Sequence, residues 1–267
     1  IPAFLSAYTG KNANKISLSP FPALTSILPN WTINYDGLSN LPWFRDRFKN
    51  FRLMHSYTSR YQVGSYSSHL TWVEADGGDG WGFSQGLDAG NASSPMILPT
   101  SMFDIPSITL TENFNPLFGA SGIFDNNFEL SLRYNYGRIL NLNIPAYQLV
   151  ETLQKDLVIG IGYKMDEFNR ILGIPSKQGY NNDLNVKLDI SNRTQQSLIR
   201  KIEDKYTEAT AGNTTMTIKL SAEYTMSRSL VVRTFFDRIV NKPLISSAGY
   251  PRADTNFGIS LRFLLNQ

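Results

Sequence analysis

From Met216 to Met226 every second side chain is apolar. Met216, Ile218, Leu220, Ala222, Tyr224 and Met226 alternate with Thr217, Lys219, Ser221, Glu223 and Thr225. A helix of 3.6 residues per turn would smear these two sets around its circumference, whereas a strand sends them to opposite faces. The pattern recurs at 128–136, where Phe128, Leu130, Leu132, Tyr134 and Tyr136 oppose Glu129, Ser131, Arg133 and Asn135. At 184–191, Leu184, Val186, Leu188 and Ile190 oppose Asn185, Lys187, Asp189 and Ser191; at 257–265, Phe257, Ile259, Leu261, Phe263 and Leu265 oppose Gly258, Ser260, Arg262 and Leu264. Each run predicts a strand with one wet face.

Weaker alternations at 31–36, 51–63, 65–74, 107–118, 139–144, 157–164 and 229–240 bring the total to about eleven strands. Short breaks at 63–65, 125–127, 135–138 and 227–229 suit hairpins, and no helical pattern between strands would carry a parallel crossover. The expected sheet is an antiparallel meander. Pro42 ahead of Trp43, Phe44 and Phe48 predicts one or two helical turns within 41–49. Residues 1–29, with four prolines and no sustained period, read as an irregular lead-in to the strands of 30–267. The Gly-rich stretch that opens with Gly77-Gly78-Asp79-Gly80 reads as a long loop over about 76–104.

Composition removes several kinds of chemistry. With no cysteine there is no disulfide framework, thiol nucleophile or thiolate zinc site, and two histidines leave little for an imidazole cluster. No metal or cofactor is expected. A net charge of +3 without a long basic block argues against nucleic acid. The longest apolar stretch, Leu157–Tyr163, falls far short of the roughly 18–20 residues of a membrane helix. A chain that opens on Ile1 without a signal-like segment reads as processed, or as a piece of something longer.

A sheet with one apolar face can be a soluble sandwich that buries it, or a membrane barrel that turns it to lipid. Three features lean toward the barrel. Several runs reach about ten residues, the length of a tilted membrane strand. Tyr134, Tyr136, Tyr163, Trp72, Tyr224 and Phe257 lie toward strand ends, as in interfacial girdles, although aromatic cross-strand pairs of a soluble core account for them too. Glu129, Arg133, Lys164, Lys187, Asp189, Lys219, Glu223 and Arg262 sit inside strands on the polar side, where a water-filled lumen or a solvated sheet face would take them equally. In the barrel reading Leu130, Leu132, Val186, Leu188, Ile218, Leu220, Ile259 and Leu261 face lipid. Glu129, Arg133, Lys187, Asp189, Lys219, Glu223 and Arg262 then face the lumen. Run 229–240 departs from the pattern, since Val231, Arg233, Phe235 and Asp237 share one face and Leu230, Val232, Thr234, Phe236 and Arg238 the other; both of its faces are expected to meet protein.

A search for catalytic groups returns little. His55 lies on the face of Phe51, Leu53 and Tyr57, and His69 on a polar face, with no serine and acid set to complete a triad. Both read as structural or solvent-facing. Asp76–Gly80 lacks the spacing and terminal Glu of a calcium loop, and Gly160-Ile161-Gly162 is not followed by the rest of a dinucleotide motif, so small inward-facing residues explain it better. No catalysis is expected.

Several segments in order resemble the C-terminal region of the SprA/Sov family, the outer-membrane translocons of the type IX secretion system of Bacteroidetes. They are Leu28-Pro29-Asn30-Trp31, Tyr35–Leu38, Pro42–Phe44, His55–Tyr57, Val63–Ser68, Ile108–Gly119, Leu157–Tyr163, Asp183–Ser191, Phe235–Pro243 and Asn256–Phe263. Each is ordinary strand sequence; their order over about 1–267 carries the resemblance. It implies a very large single-chain barrel in the bacterial outer membrane, with a pore for folded cargo, a lateral opening toward lipid, and this chain as its C-terminal strands. It also implies partners: secreted cargo with C-terminal secretion domains, a smaller outer-membrane barrel that collects cargo, a periplasmic plug and a peptidyl-prolyl isomerase. A porin-like channel for small solutes and a soluble β-sandwich binding module are the alternatives. If the last strand runs toward the periplasm, counting back puts 227–229, 135–138, 165–182 and 76–104 on the periplasmic side, with 192–213 and 241–254 outside.

Overall fold

The computed structural model describes residues 1–9, 29–75, 81–86, 96–171, 173, 182–204, 206–227, 229–245 and 249–263. Helix α1 (Pro2–Thr9) comes first, followed by strand β1 (Trp31–Tyr35), a 3-10 turn at Gly37–Asn40, and helix α2 (Pro42–Arg45) with proline in its first turn. Next are β2 (Phe48–Val63), β3 (Ser67–Ser68), β4 (Trp72–Glu74), β5 (Trp81–Gly86), β6 (Met96–Ser101), β7 (Phe103–Asp104), β8 (Ser107–Phe124), β9 (Phe128–Asn143) and β10 (Gln148–Met165). After helix α3 (Phe168–Ile171) come β11 (Leu184–Lys201), β12 (Tyr206–Thr225), β13 (Leu230–Pro243) and β14 (Arg252–Phe263). The protein is all-β, and every strand pairing is antiparallel.

Nine strands form one sheet in the order β1-β2-β8-β9-β10-β11-β12-β13-β14. It is a meander, except that the chain leaves it between β2 and β8 to make the small sheets β3-β7 and β4-β5-β6. Among the described residues β1 and β14 are open edges.

The sheet has nine strands where the sequence suggests eleven, and two of the expected runs account for the difference. Asn135–Arg138 is not a turn, because β9 continues through it to Asn143. Gly137 explains the misreading: the Asn113 carbonyl oxygen stands 2.9 Å from where its Cβ would be, so the glycine makes room for a cross-strand side chain and not for a bend. Run 65–74 leaves the main sheet and gives only β3 and β4. The expected loop at 76–104 contains β5, β6 and β7, with 76–80 and 87–95 outside the described residues. Trp72 belongs to this small sheet, where its indole donates to the Thr100 carbonyl at 3.0 Å, and not to a girdle of the large one. The lead-in opens with α1, and 10–28 lie outside the described residues.

Removing the break at 135–138 changes the parity of everything before it. The excursion 64–106 emerges at the same end of the sheet as the turns 144–147 and 202–204 and the connection after Pro243, opposite 125–127, 166–183 and 226–229. Region 192–213 is mostly strand. The long segment is therefore on the other side from the one the sequence count gives it.

Burial is concentrated near that excursion. Ile105, Ile108 and Leu142 form the core cluster, against which Ile1 and Phe4 of the N-terminal segment pack together with Tyr61, Phe103 and Leu149.

Candidate functional site

Strand register sorts the side chains of the large sheet into two faces. Leu130, Ile161, Leu188, Leu220, Phe236 and Phe257 are partners along one row, and Leu132, Ile159, Ile190 and Ile218 along another. All eight residues expected on the apolar side (Leu130, Leu132, Val186, Leu188, Ile218, Leu220, Ile259 and Leu261) share this face. All seven expected on the polar side (Glu129, Arg133, Lys187, Asp189, Lys219, Glu223 and Arg262) lie on the other. Among the described residues no second layer covers the apolar face over this span: Leu220 is 41% exposed and Ile259 73%, against 0% for Ile108 beneath the N-terminal segment. Contiguous exposed apolar surface of this kind marks an interaction face.

The apolar face is a band with two borders. At one border Phe48, Phe124 and Phe128 pack ring to ring with Phe44 and Phe51, and Arg47 lies 4.5 Å over the Trp43 ring. At the other, Trp31, Tyr57, Phe114 and Tyr136 follow one another along a single row of the register, with neighbouring centroids 4.5, 4.8 and 6.2 Å apart. Just past this second row the face carries a charged cluster, and beyond it Leu110 and Leu140 of the same face are buried again. The Tyr57 hydroxyl donates to Glu112 at 3.0 Å, and the Arg138 guanidinium donates twice to the other oxygen of that carboxylate, at 2.8 and 3.1 Å. Further along, Arg200 donates to Glu151 at 2.6 Å.

This second border is slanted. Apolar side chains run up to Tyr136 on β9, Leu157 on β10, Ile190 on β11, Met216 on β12, Phe236 on β13 and Phe257 on β14, with Thr234 the one aliphatic hydroxyl among them. The next residue of that face is respectively Arg138, Lys155, Asn192, Thr214, Arg238 and Thr255. Referred to β9, these polar residues stand level with positions 138, 136, 134, 136, 132 and 132, so the border drops six residues in the five steps from β9 to β14 and rises once, at β12.

The polar face holds two hollows. One is lined by Glu129, Lys164, Lys187, Glu223 and Arg233, and a second by Arg133, Asp156, Asp189, Arg193 and Lys219. Glycines let the charged side chains lie flat: a Cβ on Gly162 would come within 3.2 Å of Glu129, and one on Gly160 within 3.1 Å of the Asp189 carboxylate and closer still to Ser131. The paired glycines of 160–162 thus serve packing. Opposite charges neighbour each other across strands, Asp189 beside Lys219 beside Asp237, and Glu223 beside Arg233. At one end the Lys164 ammonium bridges Asp183 and Asp166 at 2.9 and 3.1 Å.

His55 sits in an aromatic neighbourhood, its Nδ1 2.6 Å from the Leu117 carbonyl and its ring beside Trp31 and Phe114. Among the described residues no group of three or more His, Asp or Glu is placed to hold a metal, and no helix is long and apolar enough to cross a membrane. Run 229–240 is half as expected: Phe235 lies over Gly258 on the polar face, while Phe236 and Arg238 on the other side are exposed. Sequence reasoning missed the line Glu112, Arg138, Lys155 and Arg238, since which strand positions share a height is known only from register. Neither a protein-family model nor a curated protein matches the chain.

Proposed function

We propose that this chain is part of the wall of a protein-conducting β-barrel in the bacterial outer membrane, with its apolar face against lipid and its polar face against a water-filled lumen. The slanted border carries the reading. Six residues of drop over five strand spacings is about 20 Å against about 24 Å, a slant of about 40°, within the roughly 35–45° tilt of membrane-barrel strands. A border perpendicular to the barrel axis cuts tilted strands at such an average angle. The band also fits in height. From Phe128 to Tyr136 is about 27 Å along the strand and about 21 Å along the axis, near the ~25 Å of such barrels. Charge-lined hollows on the polar face support the lumen side, and open edges at β1 and β14 support a segment of a larger wall over a closed barrel.

Protein cargo, rather than a small solute, is the substrate suggested by resemblance to the type IX translocons. On the same ground the partners are cargo with C-terminal secretion domains, a smaller cargo-collecting barrel, a periplasmic plug and a peptidyl-prolyl isomerase. No side chain is assigned a catalytic step, and no cofactor is invoked.

The test measures surface-displayed cargo alongside the amount of assembled barrel for Leu220→Arg, Leu261→Arg and Glu223→Gln in the native full-length chain. A passive wall loses barrel in the two arginine variants and keeps both barrel and secretion in Glu223→Gln. Normal assembly of Glu223→Gln with altered small-solute selectivity would favour the porin-like channel. A detergent-free, soluble monomer from residues 1–267 would favour the β-sandwich module.

A further inference from the structure

We propose that the polar line bordering the apolar band binds phosphate groups of lipid headgroups through Lys155, Arg238 and Lys242, an inference that rests on the membrane reading above. Between β8 and β14 the apolar side of the sheet carries two carboxylates, Glu112 and Glu151, and each is held by an arginine, Arg138 and Arg200. Three further cations on that side, Lys155, Arg238 and Lys242, are exposed and have no ion pair or hydrogen bond among the described residues. The charge left over is thus wholly positive and lies at or beyond the border.

The other face shows what balanced solvation looks like in the same sheet, since Asp189, Lys219 and Asp237 alternate in sign across strands. Cations kept for solubility would be expected to be interspersed in that way. Instead, each unmatched cation faces a threonine on the adjacent strand: Lys155 faces Thr194, Arg238 faces Thr255 and Lys242 faces Thr214. The Thr194 and Thr214 hydroxyls lie 3.3 Å apart and share one hydrogen bond, which leaves one of them free to donate; an ammonium or guanidinium beside such a hydroxyl suits a phosphate. Lys155 also lies in the row of Tyr136, the aromatic level at which headgroups meet a barrel. Strand spacing separates Lys155 from Arg238 by three strands, so they hold different lipid molecules along one belt.

The native full-length protein is reconstituted in nanodiscs of phosphatidylcholine doped with bis-phosphorylated lipid A, extracted into mild detergent, and assayed for retained lipid A. The triple variant K155Q/R238Q/K242Q should lose retention by roughly fivefold for each cation that holds a phosphate. K187Q/K219Q/R233Q removes the same charge from the polar face and should retain lipid as the wild type does. Dephosphorylated lipid A should be held equally weakly by all three proteins, and excess inorganic phosphate should not displace the lipid. Undiminished retention in the first variant, or equal loss in the second, overturns the proposal. A nitroxide at Leu220→Cys separates the two readings. If it is accessible to oxygen in the lipid phase while retention is unchanged, only the phosphate belt is wrong; a water-exposed label removes the membrane reading as well.

Discussion

Tyr57 and Glu112 lie on adjacent strands two residues out of register, and the tyrosine hydroxyl spans the offset with a 3.0 Å hydrogen bond. The ring stays in the aromatic row with Trp31 and Phe114 while its oxygen reaches the first charged pair beyond. In the proposed membrane reading, a tyrosine held in this way spans the change of medium within one side chain. Tyr57→Phe should lower the unfolding stability of the assembled protein by about 1 kcal/mol, because Arg138 still satisfies the carboxylate. Glu112→Ala removes the acceptor of three hydrogen bonds and should cost about 2–3 kcal/mol. A thermal melt comparing the two with wild type checks the order, and equal effects would contradict this account.

An arginine moved along β12 reads the band directly. At Leu220, mid-band, it should cost about 2–4 kcal/mol of barrel assembly, whereas at Thr214, the first residue past the border, it should cost no more than about 1 kcal/mol. The measurement is heat-modifiable barrel per total protein. A flat profile from 214 to 224 would mean that no depth axis exists.

Sidedness has a simple check in paired cysteines. If the sheet is an outer-membrane barrel wall, the 64–106 excursion and the extension of β9 to β12 beyond the band favour that end as the outer one, since such barrels keep short turns in the periplasm and long segments outside. On intact cells an impermeant thiol reagent should label Ala146→Cys and leave Ser227→Cys unlabelled until the envelope is opened. The sequence count would have used Ser84 as the inner site and Ser247 as the outer; Ser84 now belongs to the outer end, and Ser247 lies outside the described residues. Labelling of Ser227→Cys alone would invert the orientation.

Gly160→Val tests the polar-face packing. The new side chain would meet Ser131 and Asp189 on the two flanking strands, and overpacking of this kind costs about 1–3 kcal/mol. Assembly should fall, and Ser131→Gly in the same chain should restore part of it. No effect of Gly160→Val would show that the strands there have room to spare.

Much of the two-faced sheet was legible because the strand period is strict: every residue in 128–136, 184–191, 216–225 and 257–263 falls on the expected face. Glycine was the main source of error. Gly137 looks like a break but sits inside β9, and the glycines around Trp81 hide the short strand β5. The border was invisible for a different reason. Arg138 and Thr255 are 117 positions apart in the chain, and nothing local says that both begin the polar part of the same face.

The slanted border also bears on how the sheet finds its pairing. In most sheets a two-residue slip is the error that is hardest to reject, since side chains keep their faces and only a one-residue slip turns them over. Here a two-residue slip of β10 along β9 would set Lys155 beside Tyr134, and the charge would stand inside its neighbour's apolar run. Arg138, Lys155 and Arg238 stand at three different heights, whereas Thr214 is level with Lys155 and Thr255 with Arg238. Between β9 and β10 the charge of Lys155 thus disfavours a misalignment that alternation alone would let pass.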